Sequence, residues 1–132
     1  MIGSGRSLRS DAGAATSDFA LTSGLLALIF VAVLQLGTAL HIRNTLVSCA
    51  SEGARYGARV GSSPEQGADR ARALIDRSIS SAYADDVTAS VESTEAGVHV
   101  VVVRVSSPLP IVGPLGPDGQ LDVTGRAFME EQ

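Results

Sequence analysis

A carboxylate stands at the start of a long apolar run in this sequence. Asp18 is followed by Phe19 and by an almost wholly apolar stretch that reaches Leu40. Because a carboxylate in hydrocarbon costs about 2.5 to 3.5 kcal/mol at a helix centre, and less near the interface, Asp18 should have a cationic partner. Cleavage after Gly13 would create an α-amino group at Ala14, about one helical turn from Asp18. That amine could pair with Asp18 of its own chain or of a neighbouring chain, whereas the simpler alternative is a solvated carboxylate that caps the helix.

The apolar run is long enough to cross a membrane. A bilayer has a hydrocarbon core roughly 30 Å thick, which takes about 20 mostly apolar residues in helical form. The residues before Gly13 include two Arg and one Asp, and basic residues beside a membrane helix tend to stay in the cytoplasm. We therefore expect a single-pass protein of the cell membrane with a cytoplasmic N-terminus and an extracytoplasmic head. The residues Gln35, Gly37 and Thr38 either favour helix contacts in lipid or are tolerated near the outer interface.

Three parts follow along the chain. Residues 1–13 form a leader, and its residues 1–12 are rich in Gly, Ser and Arg, a composition that predicts disorder. Residues 14–60 are predicted to form one helix, because no Pro and no Gly-rich break falls between Leu40 and Gly61, and this helix continues beyond the bilayer. Residues 61–132 form the head.

The part of this helix beyond the bilayer carries a stripe of apolar or small residues at alternating steps of four and three, the spacing of a helix-packing seam. The stripe comprises Ile42, Leu46, Cys49, Gly53, Tyr56 and Val60. It packs either on other subunits or on this chain's own head. We interpret Cys49 as a small packing residue, and no second cysteine exists to form an internal disulfide. Glu52 and Arg55 are spaced to form an ion pair on the flank of the stripe.

The head should have an α+β fold. A capping box at Ser63 and Gln66, with Pro64 between them, predicts the start of a second, amphipathic helix that runs to about Ala84. After this helix the apolar residues recur at every second position, which predicts a hairpin of strands at residues 87–91 and 98–105 around a turn at 94–97. The Pro-rich residues 107–119 predict a loop, and residues 121–129 return to strand character. The expected fold is thus a long N-terminal helix, then a second helix packed on a small antiparallel sheet of about three strands.

The chain resembles the TadE-like minor pilins, or pseudopilins, of tight-adherence (Flp-type) pilus systems. The resemblance rests on the segment from Gly13 to Phe19 before the apolar helix, and on a second motif after it. That second motif is Glu52, Gly53, Ala54, Arg55 and Tyr56. The resemblance implies cleavage by a prepilin peptidase after Gly13, which leaves Ala14 as the mature N-terminus, and a role in pilus assembly and adhesion. It also implies that Asp18 and Phe19 occupy the positions of an acidic residue, usually Glu, and an aromatic residue. The side chain of Asp18 is one methylene shorter than that of the usual Glu, which shortens its reach.

Other function classes lack the residues they need. A net charge of −4 and the absence of a clustered basic face argue against nucleic-acid binding. No nucleophile with a paired base and no phosphate loop is found, and the small aromatic content of 4% disfavours a small-molecule pocket. His41 and His99 stand apart without further ligands at metal spacing, and we interpret His41 and Arg43 as interfacial anchors. We therefore expect no enzyme, no metal and no cofactor.

Two alternatives concern the N-terminal processing. Residues 46–49 have the general shape of a lipoprotein signal box that would make Cys49 a lipidated N-terminus. The apolar run is longer than the 7 to 15 residues of a secretory signal, and His41, Arg43 and Asn44 separate it from the box, so this alternative is disfavoured. The second alternative is a single-pass, membrane-anchored interaction protein that is never processed. It shares every feature of the chain except cleavage at Gly13.

Overall fold

The computed structural model describes residues 7–109 and 119–130, with side chains described from residue 11 onwards. Helix α1 spans Ser7–Gly57 and helix α2 spans Pro64–Ser78, followed by a short 3-10 helix at Ser81–Tyr83. Strands β1 (Asp86–Ser93), β2 (His99–Pro108) and β3 (Gln120–Phe128) complete the chain. The protein therefore has the α+β fold that the sequence predicts. The chain divides into two compact units, Met1–Leu36 and Gly37–Gln132.

Helix α1 begins earlier than predicted. Residues 7–12, for which composition predicted disorder, are helical. Leu, Arg and Ala are good helix formers and no Pro interrupts residues 7–18, so the helix that starts in the apolar run extends backwards through them. Residues 1–6 of the expected leader lie outside the described residues. At the other end the helix stops at Gly57, three residues before the expected boundary at Val60.

Helix α2 begins as predicted. The hydroxyl of Ser63 accepts a hydrogen bond from the backbone N–H of Gln66 at 3.3 Å, and the Ser63 N–H donates to the Gln66 side chain at 3.1 Å. Pro64 occupies the first helical position, where its missing N–H costs nothing. The helix ends at Ser78, earlier than the expected Ala84, because Ser80 caps the 3-10 helix that follows.

The three strands form one antiparallel sheet in the order β1, β2, β3. Val87 pairs with Val105, which pairs with Val123, so three valines lie side by side across the sheet. The hairpin between β1 and β2 turns at residues 94–97, where Gly97 has φ +78°, a conformation that other residues rarely adopt. The hairpin, the central apolar strand and the last strand are thus confirmed.

The boundary predicted between β2 and the Pro-rich loop is also wrong. Ser107 and Pro108, expected in the Pro-rich loop, are the last two residues of β2. Pro108 is tolerated because it ends the strand, and Ser107 is buried with its hydroxyl donating to the Tyr83 carbonyl at 3.0 Å. The rest of that expected loop, residues 110–118, lies outside the described residues.

Both helices cover one face of the sheet. The core combines Leu46 of α1, Ile75 of α2 and the inward valines of the strands, all with at most 5% of their surface exposed. Arg72 ties α2 to β1, since its guanidinium donates to the Val87 carbonyl at 2.6 Å. Val100 and Val102 point to the opposite face of β2 yet are also buried, because β2 lies between two neighbouring strands.

Candidate processing and assembly segment

Gly13 lies inside helix α1 with open space around it. A Cβ atom added there would meet no atom within 4 Å, so nothing in the described chain requires a glycine at this position. The carbonyl of Gly13 accepts a hydrogen bond from the Ser17 hydroxyl at 3.0 Å, and Thr16 makes the same contact with Ala12 at 2.9 Å. The peptide bond to Ala14 is therefore held in helical conformation by one side-chain bond in addition to the helix ladder.

Asp18 and Phe19 project from the same helix into the surroundings. Asp18 is exposed and takes part in none of the ion pairs found among the described residues. Phe19 is 75% exposed. Ala14 precedes Asp18 by four positions in a continuous helix, which places both on one face. The cationic partner expected for Asp18 is thus not formed by another side chain of the described chain, and the α-amine considered for Ala14 would lie within one turn.

The apolar run after Phe19 has no cover within the chain. Its large side chains from Leu21 to Leu40 are roughly half to three-quarters exposed. The most apolar stretch of α1 has a mean hydropathy of 2.3 and none of it is buried. By length and composition this helix can cross a membrane, and its apolar surface has no other partner in the described residues.

The packing stripe is covered by the chain's own head. Ile42, Leu46, Cys49 and Gly53 are buried in the core, Tyr56 is half-buried, and Val60 lies beyond the helix and is 55% exposed. Of the two alternatives, packing on the own head is the one observed for the first four residues. Val60 does not belong to the stripe, because α1 ends at Gly57 before reaching it.

Sequence reasoning missed part of the buried face of α1. Three alanines are also buried, each with at most 3% exposure: Ala50 and Ala54 lie on α1, and Ala58 directly follows its last residue, Gly57. The strict alternation of four and three that guided the prediction describes a narrow seam between helices. A helix that lies on both a sheet and a second helix buries a wider face, and the available signal was an alanine one position after Cys49 and after Gly53.

Glycines allow close approach of backbones at this face. A Cβ added at Gly53 would lie 2.6 Å from the Gly67 carbonyl oxygen and 2.8 Å from the Ala71 Cβ, so α1 and α2 touch through their backbones. A Cβ at Gly125 of β3 would overlap the backbone of Ala50 and Ser51. The glycine spacing on α1 therefore serves contacts within the head.

The second motif is split between core and surface. Gly53 and Ala54 are buried, whereas Arg55 is exposed and Glu52 is half-buried. The ion pair expected between Glu52 and Arg55 is not formed, both being residues that the structure describes. The guanidinium of Arg59 instead lies over the Tyr56 ring, 5.5 Å from its centroid, at the end of α1.

Cys49 is a buried free thiol with 6% of its surface exposed. Its burial raises the pKa of the thiol, and a hydrogen bond with Ser78 opposes this in part. A protonated, buried thiol packs as a small apolar group, which agrees with the predicted packing role. Within residues 11–109 and 119–130, no group of three or more His, Cys, Asp or Glu side chains could hold a metal ion.

Most of helix α1 matches the model of a known protein family. The family model described as "TadE-like protein" matches residues 13–55. Residues 13–55 are TadE-like. The TadE-like segment starts at Gly13, contains Asp18 and the whole apolar run, and ends within the second motif at Arg55. Neither the curated proteins nor the solved structures gave a match to the chain.

The TadE-like family, which these residues resemble, is a family of structural proteins associated with tight-adherence pili and is not known for enzymes. The TadE-like segment also includes the helix that can span a membrane. The match thus associates this segment with pilus proteins, and the same segment is long and apolar enough to cross a membrane.

Proposed function

We propose that the protein is a prepilin-like minor pilin of a tight-adherence pilus, which a prepilin peptidase processes after Gly13 and which acts in pilus assembly. The observation that carries this proposal is the TadE-like match, which begins at Gly13 and continues through the exposed apolar helix. Residues 1–13 are then a cytoplasmic leader, residues 14–60 the membrane helix with its extension, and residues 61–132 an extracytoplasmic head. The work of the molecule is interaction and not catalysis.

The surroundings of Gly13 support its role as the cleavage glycine. Since the fold leaves room for a side chain there, the requirement for glycine comes from outside the folded chain. A peptidase must reach the Gly13 carbonyl, which is engaged by the helix and by the Ser17 hydroxyl. Glycine in a helix interior costs about 1 kcal/mol relative to alanine, so it lowers the cost of opening the helix at this bond.

Cleavage would also change the position of Asp18 within its helix. In the precursor this carboxylate lies well inside a helix that begins at Ser7. With Ala14 as the first residue, the carboxylate lies in the first turns, where the helix dipole favours negative charge. The new α-amine lies on the same face of the helix, four residues before Asp18. The positive α-amine and the negative carboxylate neutralise each other, either within one subunit or between neighbouring subunits. Phe19 lies beside this pair at the apolar surface.

The surface offered to other pilin-like subunits is the membrane helix. The stripe from Ile42 to Gly53 is occupied by the chain's own head, so it is not available to a neighbour. The helix from Phe19 to Leu40 is apolar and uncovered. In lipid, such helices associate through close packing of their side chains, and small residues at the contact favour this.

The test is N-terminal sequencing of the protein from cells with and without the prepilin peptidase. We expect Ala14 as the first residue only where the peptidase is present. Gly13→Ala should block this cleavage while leaving the fold unchanged, and Gly24→Ala, at another open helical glycine, should be processed normally. An intact Met1 terminus in both strains would overturn processing and leave an unprocessed membrane-anchored interaction protein.

A further inference from the structure

Phe128 is the most exposed large apolar residue among the described residues after Leu40. It ends β3 with 71% of its surface exposed, and the next such residue, Val60, is 55% exposed. Alternate residues of β3 from Leu121 to Gly125 are buried against the helices, so Phe128 lies on the other face of the sheet. An aromatic ring gains more than most side chains from removal from water, and its exposure indicates a contact surface.

A cleft of about 380 Å³ lies beside this ring. Its floor is Val100, which pairs with Phe128 on one side and with Glu92 on the other, so the three residues form one row across the sheet. Thr94 and Glu95, in the turn of the β1–β2 hairpin, line the cleft opposite the ring. A cavity of about 150 Å³ holds a benzene molecule, so the cleft has room for an aromatic side chain.

Two charged side chains that line the cleft have no oppositely charged partner. Arg126 and Glu95 are both exposed, and neither takes part in an ion pair found among the described residues. The other carboxylate of the lining, that of Glu92, is bound to the Arg104 guanidinium at 2.6 Å. The cleft thus combines an exposed aromatic ring with a cation and an anion that are both available to a partner.

A second copy of the same surface complements all of these features. The ring and the cleft lie side by side on one surface, so a two-fold axis places the ring of each copy in the cleft of the other. The two Phe128 rings then lie next to each other, each above Val100 of the other copy. Arg126 of each copy faces the hairpin that carries Glu95 of the other. A ligand with a single charge would leave either Arg126 or Glu95 without a partner.

We propose that this surface is a self-association site of the head, at which two copies of the chain exchange their Phe128 rings and pair Arg126 with Glu95. The contact is isologous, because the same residues serve as donor and acceptor in both copies. It adds a contact between subunits to the one assigned to the apolar helix. Since it concerns the head alone, it does not depend on cleavage after Gly13.

The experiment measures self-association of the full chain in detergent micelles by sedimentation equilibrium over a concentration series. Phe128→Ser should raise the dissociation constant of the dimer roughly tenfold or more, because buried aromatic anchors dominate small interfaces. Val60→Ser is the matched control, since it removes an exposed apolar side chain that does not line the cleft, and it should leave the constant unchanged. Circular dichroism should show the same fold for both variants, because both side chains are exposed.

An exchange of charges tests the pairing directly. Arg126→Glu brings carboxylates together across the contact and should weaken the dimer by a similar factor. Adding Glu95→Arg to that variant restores opposite charges at both positions and should recover most of the lost affinity.

Two results would overturn the proposal. One is a natural chain that stays monomeric at every concentration. The other is a dimer that Phe128→Ser and Arg126→Glu leave unchanged, which would assign the association to the apolar helix. Neither result bears on the N-terminal sequence by which cleavage after Gly13 is judged.

Discussion

At the scale of single residues, the chemistry of this chain is concentrated between Gly13 and Phe19. The sequence predicted these positions from a carboxylate beside an apolar run, and the TadE-like match covers them. The hydrogen bond from the Ser17 hydroxyl to the Gly13 carbonyl could not be predicted, because a serine in a helix has several acceptors within reach. The structure also shows that Gly13 has no role in packing, which composition alone does not reveal.

Asp18 is expected to serve assembly and not processing. Asp18→Ala should be cleaved after Gly13 as efficiently as the natural chain, because the carboxylate lies beyond the bond that is cut. Incorporation into the pilus should fall about tenfold, equivalent to roughly 1.4 kcal/mol, once the α-amine loses its partner. Quantitative immunoblotting of sheared pili and membranes measures both effects.

The controls for Asp18 separate charge from side-chain length. Asp76→Ala removes an exposed carboxylate of the head and should leave piliation unchanged. Asp18→Glu keeps the charge with a longer reach and should restore incorporation. Normal piliation in the Asp18→Ala variant would remove the docking role assigned to this carboxylate.

Cys49 should react slowly with maleimides in the folded protein. Its thiol is buried and its pKa is raised by desolvation, so less reactive thiolate is present at neutral pH than in the unfolded chain. We expect alkylation by N-ethylmaleimide to be at least roughly tenfold slower than in denaturant, as measured by mass spectrometry over time. Equal rates in both conditions would contradict the burial of Cys49.

The raised pKa of the Cys49 thiol also predicts a pH dependence of stability. The folded state favours the neutral thiol. The contribution of the buried Cys49 thiol to the free energy of unfolding is therefore complete below the pKa of about 8.5 that the thiol has in the unfolded chain. The effect is lost as the pH rises through the raised pKa of the folded state. The free energy of unfolding of the natural chain should therefore fall more steeply at alkaline pH than that of Cys49→Ala. Parallel curves for the two proteins would be the contrary result.

At the scale of elements, the sequence predicted each helix and strand but not their close contacts. Cap residues, turn residues and the change of period are local signals, which is why α2 and the hairpin were found. The wide buried face of α1 depends on what lies opposite it, and the contact of Gly125 with Ala50 joins residues distant in sequence. Local periodicity carries no information on such pairs. It also cannot show that Ser107 and Pro108 find strand partners across a loop.

Gly53 should be intolerant of a methyl group. Gly53→Ala would force apart the backbones of α1 and α2 at Gly67, and overpacking of this kind costs about 1 to 3 kcal/mol. Chemical denaturation of the detergent-solubilised protein, followed by circular dichroism, should show this loss. Gly37→Ala is the matched control, since open space surrounds Gly37 on the same helix. That variant should be neutral or more stable by up to about 1 kcal/mol, and an equal loss in both variants would refute close packing at Gly53.

At the scale of the whole molecule, the composition of the two ends predicts the orientation in the membrane. The positive leader should stay in the cytoplasm and the acidic remainder should be outside. A cysteine at the exposed Thr124 of β3, in a Cys49→Ala background, should react with a membrane-impermeant maleimide in right-side-out vesicles. In inverted vesicles it should react only after detergent is added. The reverse pattern would place the head in the cytoplasm and exclude the proposed assembly role.

The continuity of α1 has a mechanical consequence. A single helix runs from the apolar segment into the head, where Leu46, Ala50 and Ala54 are fully buried. A pull along the axis of α1 therefore loads its packed face within the head in shear. Detaching the helix would require its buried contacts to break together, so a subunit drawn out of the bilayer should carry its head along as a folded body.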